Sequence, residues 1–158
     1  HGIPSGMIGG KGLKSCDADS GRMTNDAVSK VDDFLTRAKV FTLSTVDDGR
    51  PRARPLGLHM VMDDSIVFGV GDFKDVYRQL IANPEVEITA CIGGEWLRLH
   101  GRAVTLHDPA ISEKALDIVP PLRNIYNEES GRRLEMFRLE DAVAEFIDMM
   151  TVTESLRL

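Results

Sequence analysis

A chain of 158 residues with 42% hydrophobic and 28% charged side chains has the make-up of one ordinary soluble domain, long enough to bury a core without covalent staples. Its formal net charge of −6 excludes a general nucleic-acid or anionic-membrane binder, so an anionic ligand has to be met by a local cluster of cations. Two cysteines, Cys16 and Cys91, are too few for a disulfide framework or a zinc site, and no apolar run approaches the roughly 20 residues of a membrane span.

Residues 1–22 begin without methionine, carry six glycines and show no periodicity. They read as a tag or flexible leader, with the natural start at Met23 and a single domain over 23–158. No signal peptide is visible, so a reducing cytoplasm is the expected location. Ala27, Val28, Val31, Phe34, Leu35 and Ala38 then recur at helical spacing behind Thr24 and Asn25, which predicts an amphipathic first helix. "KVFTLSTV" alternates as a strand, "DDG" supplies a hairpin turn, and "PRARPLGLHMV" continues as the second strand. After a turn at "MDDS" comes a third strand, "SIVFGVG", and Asp72 is placed to cap the helix "FKDVYRQLIAN". "EVEITACI" and "EWLRLHGRAVTLH" form another hairpin around Gly93 and Gly94, with Cys91 read as a buried, inert thiol. Asp108 and Pro109 open a third helix to about Val119, and "RRLEMFRLE" with "DAVAEFIDMM" supply one or two closing strands. About six antiparallel strands with helices only at connections predict a mainly β fold, a small closed or partly split barrel.

Arg50, Arg52 and Arg54 are separated by single residues, so on a strand they share one face. Such a comb of guanidinium forks suits phosphate, although a solvated strand beside a hairpin explains it as well. Lys74 stands at the front of a helix, where the aligned peptide N–H groups already make the potential positive. A phosphate placed between the lysine and the helix end would resolve that conflict, and the glycines of "GVGD" would let a ligand approach the backbone. Trp96 alternates with Arg98 on one face of its strand, opposite Leu97 and Leu99, and is read either as packing or as a platform for a planar ligand. His59, His100 and His107 show no metal-ligand spacing, and no acid, base or nucleophile stands out. If the protein is an enzyme, a bound cofactor carries its chemistry.

These blocks resemble the FMN-binding split-barrel flavoproteins related to pyridoxamine 5′-phosphate oxidase, from about Val31 to Glu145. The resemblance is carried by "FTLSTVDDGRPRARPLG", "VFGVGDFKDVYRQLIANPEVEI", "GGEWLRLHGRAV" and the weaker "PPLRNIYNEES" and "MFRLEDAVAEF", in that order. It implies a split β-barrel with FMN as cofactor, lined by Arg52, Arg54, Pro55, Leu56 and Gly57 from one strand and by Gly69, Val70 and Gly71 from another. It further implies that Lys74 binds the FMN phosphate, that Gln79 and Trp96 face the flavin or the opposite subunit, and that the protein is a homodimer with FMN sites across the interface. The chain ends in "MMTVTESLRL" without a tryptophan after Trp96, so it departs from oxidases of vitamin B6. The implied activity is an FMN-dependent oxidoreductase moving a hydride from a reduced nicotinamide to a small acceptor such as a quinone or nitro compound. The alternatives are a non-catalytic flavin carrier, or the same fold holding deazaflavin or haem.

Overall fold

The computed structural model describes residues 26–158; the expected leader, the start at Met23 and the helix entrance at Thr24 and Asn25 lie outside them. A helix over 26–38, α1, buries Ala27, Val28, Val31, Phe34 and Leu35, the apolar stripe its periodicity predicts. Strands β1 (Phe41–Asp47) and β2 (Arg50–Leu56) form the first hairpin, turning on Asp48 and Gly49 at φ 52° and 76°, the left-handed pair such a two-residue loop needs.

The single strand expected over "PRARPLGLHMV" is two, because the chain breaks at Gly57 and Leu58 before β3 (His59–Met62). A Cβ on Gly57 would stand 3.3 Å from the Lys39 carbonyl at the end of α1, and the Leu58 carbonyl accepts the Gly69 N–H at 3.3 Å. These contacts carry the chain from one edge of the sheet to the other. A turn at Asp63 and Asp64 leads into β4 (Ser65–Gly71). Strands β5 (Glu85–Ile92) and β6 (Glu95–Thr105) make the next hairpin, followed by β7 (Leu134–Asp148) and β8 (Thr151–Arg157).

Seven of the eight strands run antiparallel in the order β2-β1-β5-β6-β7-β4-β3, and β8 pairs with β7 off this path. The 15-residue β7 forks, pairing β4 through its first part and β8 through its last. The count exceeds the expected six because β2 and β3 are separate and the terminal "TVTESLR" forms a strand of its own. The ends of the order, β2 and β3, are consecutive in the chain, so the sheet curls into a split barrel. Inside it Phe41, Phe68 and Phe137, from three strands, stand ring to ring at 5.7 and 5.5 Å. Each fully buried ring contributes about 1.5–3 kcal/mol.

Two further helices position the site. Helix α2 (Asp75–Ala82) buries Val76 and Leu80 in the barrel core. Helix α3 (Pro109–Ile118) covers the outer face, packing Ala115 and Leu116 on Met60, Val67, Leu134 and Met136. Strand β4 is therefore buried on both faces, which is why "SIVFGVG" is continuously apolar. Asp108 caps α3 as expected, accepting the Ala110 N–H at 3.0 Å. Asp108→Ala should cost about 1 kcal/mol, a fall in melting temperature of roughly 2–4 °C measurable by circular dichroism. Cys91 is exposed, contrary to the buried reading, because the alternation of β5 turns Val86, Ile88 and Ala90 inward and Cys91 out.

Candidate functional site

The turn from β4 into α2 departs from the local capping rule. The Asp72 carboxylate does not cap α2: its Oδ1 accepts the Arg133 N–H at 3.0 Å, while the Asp72 N–H donates to the Arg133 carbonyl at 3.0 Å. The N-cap is Lys74, extended at φ −94° and ψ 153°, and no side chain caps the helix. A lysine has no acceptor to offer, so the first-turn N–H groups lack a side-chain partner. Among the described residues the Lys74 ammonium has no carboxylate within ion-pair distance; its ring neighbour is Phe73, with the centroid 5.9 Å away.

The arginine comb lies on one face of β2, opposite Asp47, Thr45 and Leu43 of β1. Its three members differ in what they do. Arg54 is tied inward, donating to the Leu43 carbonyl at 3.1 Å, the Thr45 hydroxyl at 2.8 Å and the Gln79 amide oxygen at 2.6 Å. Burial, then the neighbouring Arg52 charge, lower its pKa from the ordinary arginine value, with Asp75 opposing; a guanidinium still stays charged. Arg52 has no side-chain hydrogen bond or ion pair among the described residues, so its guanidinium is uncommitted.

Gln79 is 2% exposed and spends its amide inside the chain. Its oxygen also accepts from the Thr45 hydroxyl at 2.6 Å, and its nitrogen donates to Asp47 at 3.4 Å. Arg78 closes the network on Asp47 with two hydrogen bonds of 3.3 Å, which, opposed by desolvation, hold the Asp47 carboxyl below its ordinary range. The result ties α2 to β1 and β2 and aims the helix N-terminus at the same opening as Arg52.

That opening is a cleft of about 640 Å³ bordered by Arg52, Arg54, Pro55, Lys74 and Gln79. Its one acid among the described residues, Asp75, is exposed and lies 4.0 Å from Arg78. Through Arg54, Pro55, Lys74 and Val76 the cleft continues into a second cavity of about 400 Å³. There Leu56, Gly57, Gly69, Val70 and Gly71 face Val119, Leu122 and Tyr126 from the far side of α3. The glycines also serve packing. A Cβ on Gly69 would stand 2.5 Å from the Leu58 side chain, and one on Gly71 would stand 2.8 Å from both the Phe73 ring and the Tyr126 hydroxyl.

Two predicted residues stay outside. Arg50 lines neither space, so the comb reaches the cleft with two of its members. Trp96 lines neither as well; its indole N–H donates to the Met149 carbonyl at 3.3 Å and Arg98 lies 5.3 Å from its ring centroid. Tyr126 is the residue that sequence reasoning missed. It follows the 3₁₀ turn Pro120–Asn124, where no periodicity marks a buried face; the sole signal is an aromatic in "PPLRNIYNEES". Burial first, then the charge of Asp72, push its phenol pKa up, while Arg132 opposes, so the hydroxyl stays protonated at neutral pH and can donate.

A split barrel in which a cationic cleft opens into a largely apolar cavity is the class that fold and site define. The chain belongs to the pyridoxamine 5′-phosphate oxidase family, whose family model matches residues 27–146. No curated protein sequence matches it significantly. Among solved structures it is similar to a NimC/NimA family protein from Clostridium acetobutylicum, with TM-score 0.78 and 25% identity over 87% of this chain and 96% of that one. It shares its fold with an FAD-binding protein from Mesorhizobium loti, at TM-score 0.52 and 18% identity over 71% and 88% of the two chains. The fold also occurs in a haem-binding protein from Mycobacterium smegmatis, at TM-score 0.56 and 19% identity over 79% and 55%. Proteins of this fold thus include flavin and haem binders. Among the described residues no helix is long and apolar enough to cross a membrane.

Proposed function

We propose that the joined cleft and cavity hold FMN, and that the protein is an FMN-dependent oxidoreductase transferring a hydride from a reduced nicotinamide to a small acceptor such as a quinone or nitro compound. One observation carries this reading: a helix N-terminus with no side-chain cap and the side chains of Lys74 and Arg52, which make no hydrogen bond or ion pair among the described residues, meet at the mouth of a largely apolar cavity. A flat ring with a short phosphate tail has that distribution of polarity. FMN, when bound, supplies the hydride and electron chemistry for which the chain shows no acid–base set of its own.

The protein's part is binding and orientation. Lys74, Arg52 and the first N–H groups of α2 would take the phosphate. Arg54, locked by three hydrogen bonds, holds a fixed positive charge beside them. Leu56, Val70, Val119 and Leu122 exclude water from the ring, and the Tyr126 hydroxyl offers it a hydrogen bond.

The neighbouring haem binder suggests haem as the rival, and Tyr126 is the one residue of this cavity with a side chain suited to iron.

The assembly fitting this reading is a homodimer working in the cytoplasm. Met149, Met150 and Val152 are exposed beside Trp96 at one end of the sheet, an apolar surface that a second copy could cover and through which its Trp96 could approach the flavin.

The absorption spectrum of the purified protein is the test. Flavin bands in equimolar amount, as isolated or after adding FMN, are the expected result. A haem Soret band, or a colourless protein that fails to take up FMN at micromolar concentration, overturns it.

A further inference from the structure

Strands β4 and β7 pair as far as Gly71 and Leu134. One residue further, the Asp72 N–H still donates to the Arg133 carbonyl at 3.0 Å, as an antiparallel ladder requires. The return bond, from the Arg133 N–H, goes to the Asp72 carboxylate at 3.0 Å instead of to a main-chain carbonyl. The side chain thus stands in for the backbone, and the chain is free to leave the ladder and turn into α2.

The same junction pins one wall of the ring cavity. Val119, Leu122 and Tyr126 reach that cavity from a segment between α3 and β7 that belongs to no strand. At its start Arg123 ties the segment to Glu113 and Asp117 of α3. The side-chain hydrogen bonds of Asn127 and Ser130 stay inside it. Its far end is fastened by the Asp72 carboxylate and by the Arg132 guanidinium, 4.2 Å from the Phe73 ring centroid. Phe73 in turn leans on Tyr126, with ring centroids 6.3 Å apart, and the Phe73 ring and the Tyr126 hydroxyl meet over Gly71.

We propose that Asp72 is a positioning residue of the ring cavity: by holding the Arg133 N–H its carboxylate fixes Tyr126 against the cavity and leaves the α2 N-terminus and Lys74 open to the phosphate. The proposal rests on the flavin reading of that cavity. Used as a cap instead, the carboxylate would place its negative charge where the phosphate is to lie and would release the segment that carries Tyr126.

The experiment compares Asp72→Ala with Asp72→Asn, which keeps an oxygen able to accept the Arg133 N–H. Both lack the charge, so the difference between them isolates the hydrogen bond. In the ligand-free protein, the amides of residues 122–133 should exchange faster in Asp72→Ala than in Asp72→Asn, while those of β5 and β6 exchange alike. Riboflavin, which reports on the ring alone, should bind Asp72→Ala about threefold to tenfold more weakly. With FMN bound, the midpoint potential of Asp72→Ala should be the lower of the two, because a hydroxyl donating to the ring favours its electron-rich reduced form. On a Tyr126→Phe background the two potentials should coincide, a coupling that a merely structural role would not produce. Phe73→Leu, which keeps the Asp72 bonds and removes the stack, should lower the potential in the parent but not on the Tyr126→Phe background, and it serves in place of Asp72→Ala if that variant does not fold. Equal potentials in Asp72→Ala and Asp72→Asn with FMN bound overturn the proposal. So does a difference that persists on the Tyr126→Phe background. Failure of the parent to bind FMN overturns the flavin reading and the positioning role with it, and faster exchange in Asp72→Ala would then mark a clasp of the loop alone.

Discussion

On the proposed flavin reading, Lys74→Met should lower FMN affinity about tenfold to a hundredfold, because it would remove a charge-assisted contact worth roughly 1.5–3 kcal/mol. Riboflavin, which lacks the phosphate, should bind parent and variant alike, since the cavity walls formed by Leu56, Val70 and Leu122 are untouched. The unliganded variant should melt no lower than the parent. Lys74 has no ion pair to lose among the described residues, and taking a positive charge away from a helix N-terminus relieves repulsion. Fluorescence titration of both ligands and one thermal melt check the set. Unchanged FMN affinity would reduce Lys74 to a solvated helix residue and leave the uncapped N-terminus without a function.

Arg54→Met separates positioning from contact. Its guanidinium bridges β1, β2 and α2, so its loss takes one of two donors from the buried Gln79 oxygen and frees the Thr45 hydroxyl oxygen. An unsatisfied buried group costs about 1–3 kcal/mol. For a chain of this size that is a fall of roughly 2–4 °C in melting temperature per kcal/mol, seen without any ligand. FMN affinity should fall as well, for two reasons: a cation beside the cleft is gone, and α2 has lost its tether to the barrel. Adding Gln79→Leu should recover neither the stability nor the affinity, because the buried Thr45 hydroxyl then loses its acceptor as well. A parent-like melt for Arg54→Met would show that the network contributes nothing, and recovery of FMN binding in the double variant would make Arg54 dispensable to the site.

Much of this architecture is legible in short stretches. The alternation in "KVFTLSTV", the "DDG" turn and the apolar stripe from Ala27 to Leu35 each predict what forms, because the periods of strand and helix are set by backbone geometry alone. Order of elements was enough to suggest the barrel. The failures occur where a distant partner outweighs a local rule. Asp72 stands where a cap belongs, but its carboxylate is claimed by the N–H of Arg133, 61 residues on. The run after Arg50 reads as one strand until the end of α1 and β4 meet it at Gly57 and Leu58. Cys91 sits in an apolar stretch, yet the inward register of Val86, Ile88 and Ala90 turns it out.

The same division runs through the site. The chain by itself determined that Arg50, Arg52 and Arg54 share a face and that a lysine heads α2, since both follow from residue order and strand or helix geometry. Only the tertiary structure decided their roles: Arg50 falls outside, Arg52 is left uncommitted, and Arg54 is turned inward by Leu43, Thr45 and Gln79. It also brought Tyr126 from beyond α3 to the wall of the ring cavity, a placement no periodicity encodes. The reason is that a face is a property of one element, whereas a cavity exists only where several elements stop short of one another, and that depends on every contact that packs them.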